Sequence, residues 1–133
     1  MKEEAEPYAP RLAVAIDLFN RHEFFACHDV LEELWAEAIG PQRDFLQGLI
    51  HAAVALHHFT EGNLGGARKM HDSAVRYLAA SPADGGGIDL DRFRVDFDRC
   101  FAPLLGVHAA YPADVVIDPA LIPQWRRREE SRP

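Results

Sequence analysis

Apolar residues recur at three- and four-residue intervals along most of this chain, the spacing that keeps one face of an α-helix dry. Leu12, Ile16 and Phe19 mark a first stripe, and Phe45, Leu46, Leu49, Ile50, Ala53, Leu56 and Phe59 mark a denser one further on. β-Branched residues are scattered and strict alternation is nearly absent, so the pattern carries almost no strand signal. It predicts an all-α fold: a compact multi-helix bundle of about five helices built from two helical hairpins, with an irregular C-terminal strap.

Helices are expected over 9–22, 23–39, 41–61, 63–80 and 89–105, with an irregular tail over 110–133. Gly40-Pro41 supplies a stop and then a start, because glycine tolerates the turn and proline suits the first helical position. The third helix is apolar almost all round and therefore central. Asn63 is placed to cap the fourth, and Asp84-Gly85-Gly86-Gly87 reads as a flexible loop. Pro112, Pro119 and Pro123 rule out a continuous helix in the tail, whose Val115, Val116, Ile117, Leu121, Ile122 and Trp125 are the residues to lay back on the bundle. A faint repeat sets Phe19-Asn20-Arg21-His22-Glu23-Phe24 forty residues before Phe59-Thr60-Glu61-Gly62-Asn63-Leu64, each copy reading as a hairpin turn.

Length and charge then narrow the functional classes. With 133 residues and 48% hydrophobic positions, the chain reads as one soluble domain, long enough to fold around its own core without a metal or disulfide staple. Its net charge of −7 repels a phosphate backbone, which argues against nucleic acid as a partner. Arg126-Arg127-Arg128 runs straight into Glu129 and Glu130 and reads as a solvated tail. Two cysteines, Cys27 and Cys100, without CxxC spacing suit a reducing compartment. No apolar run is long enough for a signal segment or a membrane span, so a cytoplasmic protein is expected.

Two polar stripes interrupt the apolar helices. His28, Glu32 and Trp35 stand at i, i+4 and i+7 on the second helix, and Gln47, His51 and His58 share one stripe of the third. If these helices run antiparallel about Gly40-Pro41, positions whose numbers sum to roughly 81 share a height, which puts His51 level with His28 and Glu32. Three readings follow. The stripes form a satisfied interhelical hydrogen-bond network; or His28, Asp29, Glu32, Trp35, Gln47, His51 and His58 line a small-ligand pocket; or His28, Glu32 and His51 hold a divalent metal for hydrolysis, with Asp29 as a base acting through water. His57 points off the stripe and reads as unrelated, as does the chance dipeptide His71-Asp72. A protein-interaction module or a homo-oligomer using the exposed hairpin faces is a further class.

The run Phe24 to Trp35, then Leu46-Gln47-Gly48-Leu49-Ile50-His51, then His58 and Gly62-Asn63 with Gly66-Ala67, resembles the domain-of-unknown-function 309 family over about residues 16–80. The resemblance implies a small, all-helical, cytosolic bacterial or archaeal domain with no established activity. The matching positions are His28, Glu32, Trp35, Gln47, Gly48, His58, Gly62 and Asn63. The family usually has Glu at Ala26, Glu at Asp29 and Gln at His51, so a metal triad using His51 is not implied by the resemblance.

Overall fold

The computed structural model describes residues 8–81, 85–106, 108–112 and 114–128. Five α-helices follow one another: α1 (Tyr8–Asn20), α2 (Phe24–Glu37), α3 (Pro41–Thr60), α4 (Leu64–Ala79) and α5 (Leu90–Phe101). Among the described residues there is no strand, only an isolated bridge between Ile88 and Arg127. No described helix is long and apolar enough to cross a membrane. The acidic residues 1–7, Asp84 of the glycine loop, and Glu129 and Glu130 lie outside the described residues.

Each of α2, α3 and α4 packs on the helix before it, and α5 closes over α4 and the C-terminal strap. The helix α3 sits in the middle, with ten of its twenty residues buried. Its close approach to α4 depends on Gly48, where a Cβ would lie 2.7 Å from Leu78 Cδ2 and 3.2 Å from Tyr77 Cβ. α5 ends at Phe101, four residues before its expected limit. Pro103 removes a backbone donor, and Ala102–Leu104 tighten into a 3-10 turn instead.

The forty-residue repeat is a repeated turn. Glu23 N bonds Leu18 O and His22 N bonds Phe19 O; forty residues on, Asn63 N bonds His58 O and Gly62 N bonds Phe59 O. Both are Schellman closures, which need a left-handed residue at the penultimate position. Gly62 supplies it at φ 81° without a side-chain penalty, whereas His22 adopts φ 64° as the one non-glycine residue with positive φ among those described.

The glycine loop, read as flexible, is packed, and the strap lies on the bundle as expected. Gly85–Gly87 form a 3-10 turn under Phe45, close enough that a Cβ on Gly86 would lie 2.8 Å from that ring. The strap is anchored by Trp125, 1% exposed, whose indole stacks on Phe19 at 3.7 Å. Val115, Ile117, Leu121 and Ile122 pack against the core, but Val116 points outward at 76% exposure. The basic run is not a free tail either, since Arg128 Nη1 meets Asp89 Oδ1 at 3.0 Å.

Candidate functional site

The sequence-derived polar residues fall into two groups. Gln47 and His51 face α4 and not α2, whereas His58, at the end of their stripe, borders both the turn before α4 and the α2 side. Gln47 Nε2 donates to His51 Nε2 at 2.7 Å, and His51 Nδ1 lies 2.6 Å from Ser73 Oγ on α4. Burial, reinforced by the positive charge of Arg76, holds the His51 pKa below the usual imidazole range. A neutral ring fits the geometry: the nitrogen that accepts from Gln47 leaves the other to donate to Ser73. His58 Nδ1 accepts from Asn63 Nδ2 at 3.3 Å, while Asn63 Oδ1 takes the Gly66 amide and caps α4.

His28 stays with α2. Its Nε2 lies 3.1 Å from Glu32 Oε2 on the exposed side of the helix. Its Nδ1 is shut off from solvent and makes no hydrogen bond among the described residues, although Asp29 Oδ1 stands 3.4 Å away. The residue sum near 81 concerns height along the two helices and says nothing of azimuth, and that is why His51, expected beside His28, is turned toward α4 instead. Among the described residues no three His, Cys, Asp or Glu side chains are placed to hold a metal, so His28, Glu32 and His51 do not fit the triad drawn from their spacing. Trp35 lies under the Arg43 guanidinium, 3.8 Å from the ring centre, outside both groups.

The face of α3 that does meet α2 carries Val54 and His57. Together with Phe24, Phe25, His28 and His58 they line a cleft of about 260 Å³. Phe25 stands at its mouth, 61% exposed, its ring 5.7 Å from His28 and 5.5 Å from His57. Two of the expected residues, His28 and His58, therefore share a cavity with His57, which the stripe argument set aside. The i, i+3 pair Val54 and His57 was the available signal, an imidazole on the α2-facing side of the central helix.

His71 was also missed. It occupies a core position of α4 in register with Ala67, Ala74 and Leu78, and is 4% exposed. Its Nδ1 lies 3.0 Å from Asp72 Oδ1 and its Nε2 lies 2.8 Å from Asp98 Oδ1 on α5, with Phe97 and Phe101 beside the ring. Arg68 holds Asp72 from the other side and also donates to the carbonyls of Leu104 and Gly106. Partial desolvation opposes ionisation of Asp72, but hydrogen bonds from His71 and Arg68 outweigh it and leave its pKa below the usual value. The cluster fastens α5 and the following turn to α4. Cys27 and Cys100 take no part in chemistry of this kind, since burial pushes both thiols up to about 12.

The architecture defines a small all-helical bundle with a histidine-lined cleft between its second and third helices. Residues 12–70, which carry that cleft, match the family model described as Domain of unknown function (DUF309), so this stretch is similar to that family. It is similar to the uncharacterized protein YpuF of Bacillus subtilis, 31% identical over 81 residues, which are 60% of this chain and 47% of that one. It is also similar to an uncharacterized protein of Aquifex aeolicus, 34% identical over 77 residues, or 57% of this chain and 23% of the relative. The matched region thus spans less than half of either relative.

Proposed function

We propose that the domain binds a small, uncharged, ring-bearing molecule in the α2–α3 cleft. The observation that carries this reading is the buried His28 Nδ1, a polar atom without a hydrogen bond beside a cavity of about 260 Å³. A buried nitrogen left unmet costs on the order of 1–3 kcal/mol, and a ligand group that reaches it recovers part of that cost. The walls set the ligand's character. Phe24, Phe25 and Val54 favour a flat apolar body, and the imidazoles of His28, His57 and His58 offer donors and acceptors to one polar edge. The volume sits just under the roughly 300–1,000 Å³ of drug-sized sites, which limits the ligand to one or two rings.

Titration of the isotopically labelled chain with phenol, indole and benzimidazole tests the reading through the imidazole ¹⁵N and Phe ring resonances. Shifts confined to His28, His57 and Phe25, reduced in Phe25→Ala and His28→Ala, are the expected result. Ring probes that move none of these signals at millimolar concentration would rule the cleft out as a ligand site.

A further inference from the structure

A second cavity, of about 430 Å³, lies at the opposite kind of surface, between α5, the α1–α2 turn and the strap. His22, Arg92, Asp96, Arg99 and Arg126 line it, with the strap from Pro119 to Gln124 as its other wall. Three guanidinium groups against one carboxylate leave two positive charges in excess, inside a chain whose net charge is −7. The stripe is deliberate in register: Arg92, Asp96 and Arg99 stand at i, i+4 and i+7 of α5 and face the same way. Asp96 serves Arg92, at 3.6 Å from its Nε. Arg99 and Arg126 make no side-chain hydrogen bond or ion pair among the described residues.

The walls are held rigidly. Trp125 is buried against Phe19, its backbone N–H donates to Asn20 Oδ1 at 2.8 Å, and its carbonyl accepts from Asn20 Nδ2 at 2.9 Å. That fixes Gln124 and Arg126 on either side. The Arg126 carbonyl accepts from the Asp89 amide at 2.9 Å, which ties the strap to the start of α5. On the third side, His22 is kept in a left-handed conformation at a turn position where the matching turn uses glycine. Strained residues of this kind persist where the surroundings over-determine them, and they gather at sites.

We infer that this cavity binds a small organic anion carrying two negative charges, held by Arg99, Arg126 and Arg92. Guanidinium forks pair with phosphate and carboxylate oxygens in the same bidentate geometry, so a phosphomonoester and a dicarboxylate present the same chemistry here. The volume exceeds what a bare phosphate fills and lies within the range of small-molecule sites. The site is separate from the α2–α3 cleft, and its residues other than His22 lie beyond the stretch 12–70 that the family model matches.

Calorimetry and amide-resonance titration of the full chain with glycerol 3-phosphate, succinate and glycerol decide the matter. The expected result is salt-sensitive binding of at least one dianion, with shifts on α5 and the strap and none from glycerol. Which dianion binds distinguishes phosphomonoester from dicarboxylate. Arg99→Gln with Arg126→Gln should weaken it by about tenfold or more. Asp96→Asn should tighten it several-fold by removing the opposing carboxylate, a gain that damaged folding would not produce. His22→Gly should keep or raise the melting temperature and still weaken binding. Neither dianion binding, or binding unchanged in the folded double variant, overturns the proposal.

Discussion

Asn20 and Trp125, 105 positions apart in the chain, are joined by a pair of hydrogen bonds of 2.9 and 2.8 Å in which one side-chain amide satisfies both the N–H and the carbonyl of the tryptophan. The pair holds the strap to the end of α1, and Trp125 fills the space it would otherwise leave beside Phe19 and Phe93. Asn20→Ala should therefore destabilise the protein by about 1–3 kcal/mol, because two buried backbone groups lose their partner at once. Urea unfolding measures this; an unchanged midpoint would mean that stacking alone holds the strap. Truncation after Asp114 should cost more still, since it also removes Trp125.

The His71 cluster makes stability depend on acid. The Asp72 pKa is lower in the folded chain than in the unfolded one, so its contribution is complete above the unfolded carboxylate value, near pH 4, and is lost as pH falls through the lower folded value. Melting temperature should fall along that limb, and Asp72→Asn should flatten it while lowering stability at neutral pH. An acid limb of the same steepness in the variant would assign the effect to other carboxylates.

His51 gives a second, separate dependence. Its folded pKa is also depressed, here for a base, so the neutral form is the one folding prefers. Stability from this group is complete above about pH 6.5, and declines as pH falls through the folded value. His51→Gln should keep a hydrogen-bonding side chain beside Ser73 and remove this dependence, with little change at pH 8. Thermal melts between pH 5 and 8 test it, and a persistent slope in the variant would exclude His51 as its source.

Gly48→Ala probes the α3–α4 spacing. The added methyl would stand 2.7 Å from a Leu78 carbon that is itself buried, and 3.2 Å from Tyr77 Cβ, which is fixed to its backbone. The two helices must part slightly, at about 1–3 kcal/mol. A variant as stable as the parent would show that Leu78 can turn aside.

The helices were legible because their burial is periodic, and the two Schellman turns because the forty-residue repeat keeps Phe19 with Phe59 and Glu23 with Asn63. Azimuth was not legible. Helical spacing put His28 and His51 on stripes but could not say which neighbour each stripe faces, and the α4 partner Ser73 carries no distinctive sequence signal. His71 could have been recognised from its place among Ala67, Ala74 and Leu78, where a polar residue on a buried stripe needs partners. Asp98, which supplies one of them, stands 27 residues away on another helix. The arginine-lined cavity needs the folded strap, since Arg126 joins Arg92 and Arg99 only once Trp125 is seated.

The seating of Trp125 also gives the molecule an optical signature. Of its two tryptophans, Trp35 lies partly in water beneath Arg43, whereas the indole of Trp125 is sealed, stacked on a phenyl ring, and has no hydrogen bond to its Nε1 among the described residues. An indole in that setting emits at shorter wavelength than a hydrated one. The fluorescence spectrum therefore carries a component that reports whether the last stretch of chain is docked, apart from the helical signal that follows the bundle itself.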